Sequence, residues 1–379
     1  MEQKILITGA NGFIGKNLIA ELKNRGYDTI YACDKETTEE ELKTFVADCT
    51  FVFHLAGINR PKETSEFITG NTGFSETLVR LLEEAGNSCP ILMSSSIQAE
   101  LDNPYGVSKK QAELVLFSHG EKTGAKVMIY RLPGVFGKWC RPNYNSVVAT
   151  FCHNIAHNLP IEIHDPDRVL ELVYIDDVLH AFLEAMEGTV SPSGHFYRVD
   201  VTHTVSLGEL AKIIRSFPAL RSTLEVPDLS DALVAKLYST YLSYLPEDAF
   251  SYRLEMKCDE RGSFTEFLRS SDRGQVSVNV AKPGITKGNH WHHSKNEKFL
   301  VVRGEACIRF RRIGEEEVIT YHVSDRELTV VDIPTGYLHC ITNVGSGDLV
   351  TLMWASEAFD KNRPDTYYEP VLINPQEDA

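Results

Sequence analysis

Paired cysteines, long apolar runs and positive charge are all scarce in this chain. Its eight cysteines stand at positions 33, 49, 89, 140, 152, 258, 307 and 340, and no two form a C-x-x-C pair. Nothing in that spacing resembles a disulfide-stapled scaffold, so free buried thiols in a reducing compartment are expected. No stretch approaches the roughly 20 apolar residues of a membrane span, and no apolar signal core follows the first residues. The expectation is a cytoplasmic protein without membrane insertion. Lys and Arg number 38 against 53 Asp and Glu, a net charge of -15. Binding nucleic acid through counterion release needs clustered cations, so a general nucleic-acid binder is excluded. One phosphorylated metabolite in a local pocket is not. Internal repeats and low-complexity tracts are missing as well.

What is there is a globular mixture of 42% hydrophobic and 24% charged residues in 379. At roughly 150 residues per domain, that length suits two or three domains. The first 200 residues alternate apolar runs with helical patterns. Ile5-Leu6-Ile7, Phe51 to Leu55, Ile91 to Met93 and Val127 to Tyr130 read as strands, with helices at Gly15 to Arg25 and Ser75 to Ala85. That order predicts βαβ units and an α/β, Rossmann-type doubly wound parallel sheet. From about Ser251 short alternating runs follow one another: Gln275 to Val280, Ala306 to Phe310, Leu328 to Val331 and Leu349 to Trp354. These predict an all-β barrel or sandwich. The two domains are expected to span 1–247 and 248–379.

Residues 9 to 15 read Gly-Ala-Asn-Gly-Phe-Ile-Gly, directly after the first strand and opening a helix. Glycines let backbone approach a pyrophosphate closely, and the helix N-terminus offers it free N–H groups. Gly9, Asn11, Gly12, Phe13, Ile14 and Gly15 are therefore the expected dinucleotide-binding loop. Asp34 follows Gly15 by 19 residues and suits the ribose hydroxyls of NAD. Lys35 beside it suits the 2′-phosphate of NADP, and the spacing leaves both open. Tyr105 and Lys109, four apart, share one helix face. A nearby ammonium would lower the tyrosine pKa and help it exchange a proton with a sugar oxygen. Ser94-Ser95-Ser96, ending a strand, offers a hydroxyl to the same oxygen.

A second constellation lies in the later half. Gly284, His290, His292, Glu297 and Gly304 form G-x5-H-x-H-x4-E-x6-G, and Pro334, Gly336, His339 and Asn343 form P-x-G-x2-H-x3-N. Two histidines two apart on a strand share a face. With Glu297 and His339 arriving from other strands, three imidazoles and a carboxylate suit Zn²⁺ or another divalent first-row metal.

The first 245 residues resemble the extended short-chain dehydrogenase/reductase family. His54-Leu55-Ala56-Gly57, Asn71, Arg131 to Gly137 and Val173 to Val178 are similar to its signatures. The resemblance implies a Ser96–Tyr105–Lys109 triad, Leu55 and Ala56 beside the cofactor, and Asn71 and Arg131 on the substrate side. Dehydratases of that family follow the serine with Asp-Glu. Here Ile97 and Gln98 follow, which leaves a simple reductase or a C4 epimerase. The later half resembles the cupin family, which implies a double-stranded β-helix barrel, although Leu328 stands where that family's second motif opens with Gly. Within it, Asp259 to Glu266 and Lys287-Gly288-Asn289-His290 resemble deoxysugar-nucleotide 3,5-epimerases, which places Arg261 and Lys287 at the substrate. His293 is an extra histidine: a base, a supporting group or a simply exposed side chain all stand open.

Nearly end to end, the pattern resembles a family of bacterial capsular-polysaccharide enzymes that fuse such a reductase to a metal cupin. It implies C3 epimerisation of a UDP-linked 4-keto-6-deoxy-2-acetamido-hexose, then C4 reduction with NADPH, NADH being the alternative. The product would be a UDP-N-acetyl-6-deoxy-L-talosamine, and the assembly a homodimer. Two other readings stand beside it: an NAD(P)-binding sensor carrying a cupin module, and a reductase fused to an iron-dependent oxygenase.

Overall fold

The computed structural model describes residues 3–191 and 194–373. They form two compact units, which are taken in turn. Unit 1 joins Met1–Arg215 to Lys236–Pro246, and unit 2 joins Ser216–Ala235 to Glu247–Ala379. The single change of rhythm near 247 thus hides a return of the chain. Leu224 and Val226 exchange hydrogen bonds with the backbone of Arg269 at 2.7 and 3.0 Å, tying that stretch to unit 2.

Unit 1 begins β1 (Lys4–Thr8), α1 (Phe13–Asn24), β2 (Thr29–Cys33), α2 (Glu39–Asp48), β3 (Phe51–His54) and α3 (Ser65–Phe67). A π-helical turn (Ile68–Gly73) leads into α4 (Phe74–Glu84), followed by β4 (Ile91–Ser96), α5 (Pro104–Thr123) and β5 (Val127–Leu132). The five strands are parallel in the order β2-β1-β3-β4-β5. Alternation sends Ile5 and Ile7 to one apolar cluster and Leu6 to another, so both faces of the sheet are buried. Helix ends follow local chemistry. Asn103 caps α5 by accepting from Gly106 N, Pro104 opens it, and Gly124 closes it at φ 77°. The strand order reverses between β1 and β3, and ligands of such sheets sit at that switch point, outside the strands' carboxyl ends. A small sheet of β6 (Gly134–Phe136), β7 (Val169–Tyr174) and β8 (His203–Ser206), with α6 (Val147–Ala156) and α7 (Ile175–Glu187), completes the unit's core.

In unit 2, the strands run β9 (Lys257–Asp259), β10 (Gly262–Ser270), β11 (Gly274–Ala281), β12 (Thr286–Trp291), β13 (Glu297–Arg303) and β14 (Glu305–Arg312). Then come β15 (Val318–Ser324), β16 (Val330–Ile333), β17 (Tyr337–Asn343), β18 (Leu349–Ala355) and β19 (Tyr367–Tyr368). Two antiparallel sheets result, β16-β13-β18-β11-β10-β9 and β15-β14-β17-β12-β19. Phe299 and Val301 of one and Ile308, Phe310 and Ile341 of the other share one core. The α/β sheet followed by an all-β region is the architecture the two sequence rhythms predict.

Candidate active sites

In unit 1 the β1–α1 turn is built by close backbone packing. Gly9 sits at φ 71°, and a Cβ there would meet Ala56 N at 2.8 Å; one on Gly15 would meet Gly9 O at 2.3 Å. Gly12 caps α1 without a side-chain hydrogen bond, so the first-turn N–H groups stay open for an anion. A cavity of about 690 Å³ is lined by Gly9, Asn11, Gly12, Phe13, Ile14, Gly15, Leu55, Ser96, Tyr105 and Lys109. A second, of about 570 Å³, shares Gly9, Asn11, Gly12 and Gly57 with it and adds Asp34, Lys35 and Ala56. Asp34 accepts from Asn11 Nδ2 and, at 2.8 Å, from Glu36 N.

Strand alternation separates the three serines. Ser96, at the end of β4, lines the same cavity as Tyr105 and accepts from Gln98 N at 3.2 Å, whereas the Ser95 hydroxyl turns the other way and donates to Glu113. Lys109, only 4% exposed, donates to the Ser94 carbonyl at 2.8 Å. Burial pulls its pKa down to about 8, with Glu113 opposing the fall. The expected depression of the tyrosine pKa does not occur. Burial raises it, and the neighbouring Ser96 hydroxyl only partly offsets that. The Lys109 ammonium is turned to a carbonyl, and Tyr105 keeps its proton as an acid.

Two residues expected at the substrate are spent elsewhere. Asn71 accepts from Ile58 N at 2.8 Å and donates to Ile58 O and Ser108 Oγ at 3.2 and 2.9 Å. Its amide ties α5 to the loop after β3 and lines neither cavity. Arg131 grips Glu113 at 2.6 to 3.2 Å and Glu100 at 3.0 Å, with its guanidinium 3.8 Å from the Phe196 ring centre. The sequence reading passed over Glu113, although it continues the row Tyr105–Lys109 by four residues. His54 is buried between Thr8 and Ser75, both at 2.8 Å, and desolvation lowers its pKa to about 3, so it is neutral scaffolding.

In unit 2, His290, His292, Glu297 and His339 come together with one ligand atom from each within 4.8 Å of the others. A bulge between Gly288 and His290, with Asn289 at φ 57°, sets His290 opposite His339 across β12 and β17. The Nε2 atoms of His292 and His339 lie 3.6 and 3.4 Å from Glu297 Oε2 and are buried without a hydrogen-bond partner. Their Nδ1 atoms face carbonyls, of Asp365 at 2.5 Å and of Tyr337 at 3.4 Å. A carbonyl only accepts, so that arrangement places a proton on Nδ1 and leaves Nε2 as the atom turned inward. Burial lowers the His290 pKa to about 4, helped by His339 and His292. Burial alone would raise that of Glu297, but the facing imidazoles outweigh it and hold it ionised. A carboxylate held ionised and two inward nitrogens without a hydrogen-bond partner fit a divalent cation.

The other expected residues lie outside this cluster. His293 is exposed, packed on Trp291 and Tyr367 with ring centres 4.5 and 4.9 Å away. Arg261 pairs with Asp259 at 2.6 Å. The Lys287 ammonium is used on Asn279 Oδ1, Val280 O and Ser263 O at 2.8, 2.9 and 3.3 Å. Asp365, seventy-three residues along from His292, carried no local signal.

Comparison with known proteins agrees with the two-part layout. The profile of the NAD dependent epimerase/dehydratase family matches residues 5–200, and that of the polysaccharide biosynthesis C-terminal domain matches 257–367. UDP-2-acetamido-2,6-beta-L-arabino-hexul-4-ose reductase of Pseudomonas aeruginosa is 45% identical over 364 residues, 96% of this chain and 98% of that one. The crystal structure of the capsular polysaccharide assembling protein CapF from Staphylococcus aureus superposes with a TM-score of 0.92 at 49% identity, over 98% of this chain and 100% of its own. A CapF structure with the inhibitor 3-isopropenyl-tropolone matches with a TM-score of 0.87 at 45% identity, over 97% of this chain and 100% of its own.

Proposed function

The chain belongs to the NAD dependent epimerase/dehydratase family, and we propose that it is a bifunctional nucleotide-sugar enzyme of capsular or surface polysaccharide assembly. Unit 2 epimerises C3 of a UDP-linked 4-keto-6-deoxy-2-acetamido-hexose. Unit 1 reduces C4, giving a UDP-N-acetyl-6-deoxy-L-talosamine and locking the new stereochemistry by removing the ketone. The observation that carries the reading is the meeting of Ser96, Tyr105 and buried Lys109 in the cavity lined by the Gly9–Gly15 turn. The name of the Pseudomonas relative, a reductase of a hexul-4-ose, supports a 4-keto substrate.

The reduced nicotinamide, when bound, supplies a hydride. The open N–H groups of α1 hold its pyrophosphate, Ser96 holds the C4 oxygen, and Tyr105 gives that oxygen a proton. The Lys109 ammonium stabilises the charge left on Tyr105. NADPH is the proposed reductant from resemblance, whereas Asp34 favours NADH, so both are assayed. In unit 2, a divalent cation held by His290, His292, Glu297 and His339 supplies a Lewis acid for an oxyanion. A tropolone is a bidentate oxygen chelator, so the inhibitor of the CapF relative supports a metal. A cytoplasmic homodimer completes the proposal; no described helix is long and apolar enough to cross a membrane.

The test is product NMR after incubation with a UDP-4-keto-6-deoxy-2-acetamido-hexose and each reductant. A 4-hydroxy product inverted at C3 is expected. Oxidation of nicotinamide with no change at C4 would sink the reading.

A further inference from the structure

After β18 the chain runs back across the strand that carries the histidines. Tyr367 and Tyr368 pair with Trp291 and His290. Glu369 N and Val371 N donate to Asn289 O and Asn289 Oδ1 at 3.0 and 3.1 Å, and Arg311 holds Val371 O at 2.9 Å. Asp365 opens this return. Its φ is 40°, left-handed backbone that a non-glycine residue adopts only when its surroundings impose it.

Those surroundings are specific. The Asp365 carboxylate accepts from the backbone N of His293, Ser294 and Lys295 at 2.9, 3.0 and 2.9 Å, and from Ser294 Oγ at 3.1 Å. Lys295, itself buried, donates to Pro364 O at 3.0 Å and Thr366 Oγ1 at 3.3 Å. The turn after His292 and the return segment are thereby clamped to each other. The clamp aims the Asp365 carbonyl at His292 Nδ1, 2.5 Å away. A carbonyl can only accept, so His292 carries a proton on Nδ1 and turns Nε2 toward Glu297.

We infer that Asp365 is the positioning residue of the metal cluster: its carboxylate fixes the 293–295 turn, and its carbonyl sets the tautomer and ring direction of His292. This rests on the proposed metal site. His339 provides the internal contrast, because its Nδ1 is 3.4 Å from the Tyr337 carbonyl and is held loosely. Removal of such an outer partner typically costs about 10–100-fold in metal affinity.

Zn²⁺ affinity is measured on the full-length chain by competition with a chromogenic chelator. Asp365→Ala should bind about 10–100-fold more weakly than the parent. Ser294→Ala removes one contact to the same carboxylate but spares the three backbone donors, and it should bind like the parent. Equal affinity in Asp365→Ala and parent overturns the inference and leaves the metal site standing. A parent chain that takes up no Zn²⁺ overturns the metal reading and this inference with it. Should the alanine variant fail to fold, ¹⁵N NMR of the parent's His292 ring decides. A proton on Nδ1, retained when Zn²⁺ binds, supports the inference, and a metal-free ring protonated on Nε2 alone overturns it.

Discussion

Tyr105, Ser96 and Lys109 show how far single residues can be read. The i, i+4 spacing put Tyr105 and Lys109 on one face, whereas Ser96 was singled out among three serines by the family resemblance and its place at the strand end. Protonation was not legible, because it depends on burial that only packing creates. Tyr105→Phe removes the proposed proton donor, and the reductive rate should fall about 10²–10⁴-fold with dinucleotide binding nearly unchanged, read by steady-state kinetics and cofactor titration. Lys109 sets a pH dependence. Its pKa falls from 10.5 to about 8 on folding, so its ammonium is present below about pH 8 and is lost above it. The kcat/KM for reduction should therefore decline as pH rises through about 8. Since Glu113 supports the charge, Glu113→Gln should move that decline to lower pH. The stability effect has the opposite sense. Between about pH 8 and 10.5 the unfolded chain binds the proton that the folded chain has shed, so stability rises with pH across that window, and below it the cost of burying the ammonium applies in full.

At the scale of elements, period-two alternation made the strands of unit 2 legible, and the H-x-H pair marked where two of them converge. The bulge was not legible. Two histidines on a regular strand would already share a face, so nothing in the spacing demanded an extra residue at Asn289. Yet Asn289, at φ 57°, both turns the strand and ties down Val371. Asn289→Ala keeps the turn but imposes about 1–2 kcal/mol of left-handed strain and loses the tie. Its unfolding midpoint in urea should drop, and Asn289→Gly, which relieves the strain alone, should recover part of the loss. An alanine variant as stable as the parent would show that the bulge is set by the histidines instead. The return segment was hidden for a different reason. Contacts between Asp365 and residues 292–295 span about seventy positions, and no local pattern encodes them.

For the molecule as a whole, the change of rhythm near 247 reported two architectures, but not that Ser216–Ala235 joins the second unit, since that return is a matter of contacts rather than periodicity. The two proposed sites, with different chemistry, make a separable prediction. Taking the C3 hydrogen as a proton exposes the intermediate to exchange with solvent, whereas C4 receives a hydride from the cofactor and does not exchange. Tyr105→Phe, given the 4-keto sugar in D₂O, should still place deuterium at C3 although it no longer reduces. The His290→Ala/His292→Ala variant removes half of the ligand set and should leave C3 protonated, while unit 1 retains its triad and slowly reduces the unepimerised ketone. Deuterium at C5 as well would mark unit 2 as a 3,5-epimerase. Were no carbon labelled by the metal-loaded parent, unit 2 would not be an epimerase, and the proposal would contract to the reductase alone.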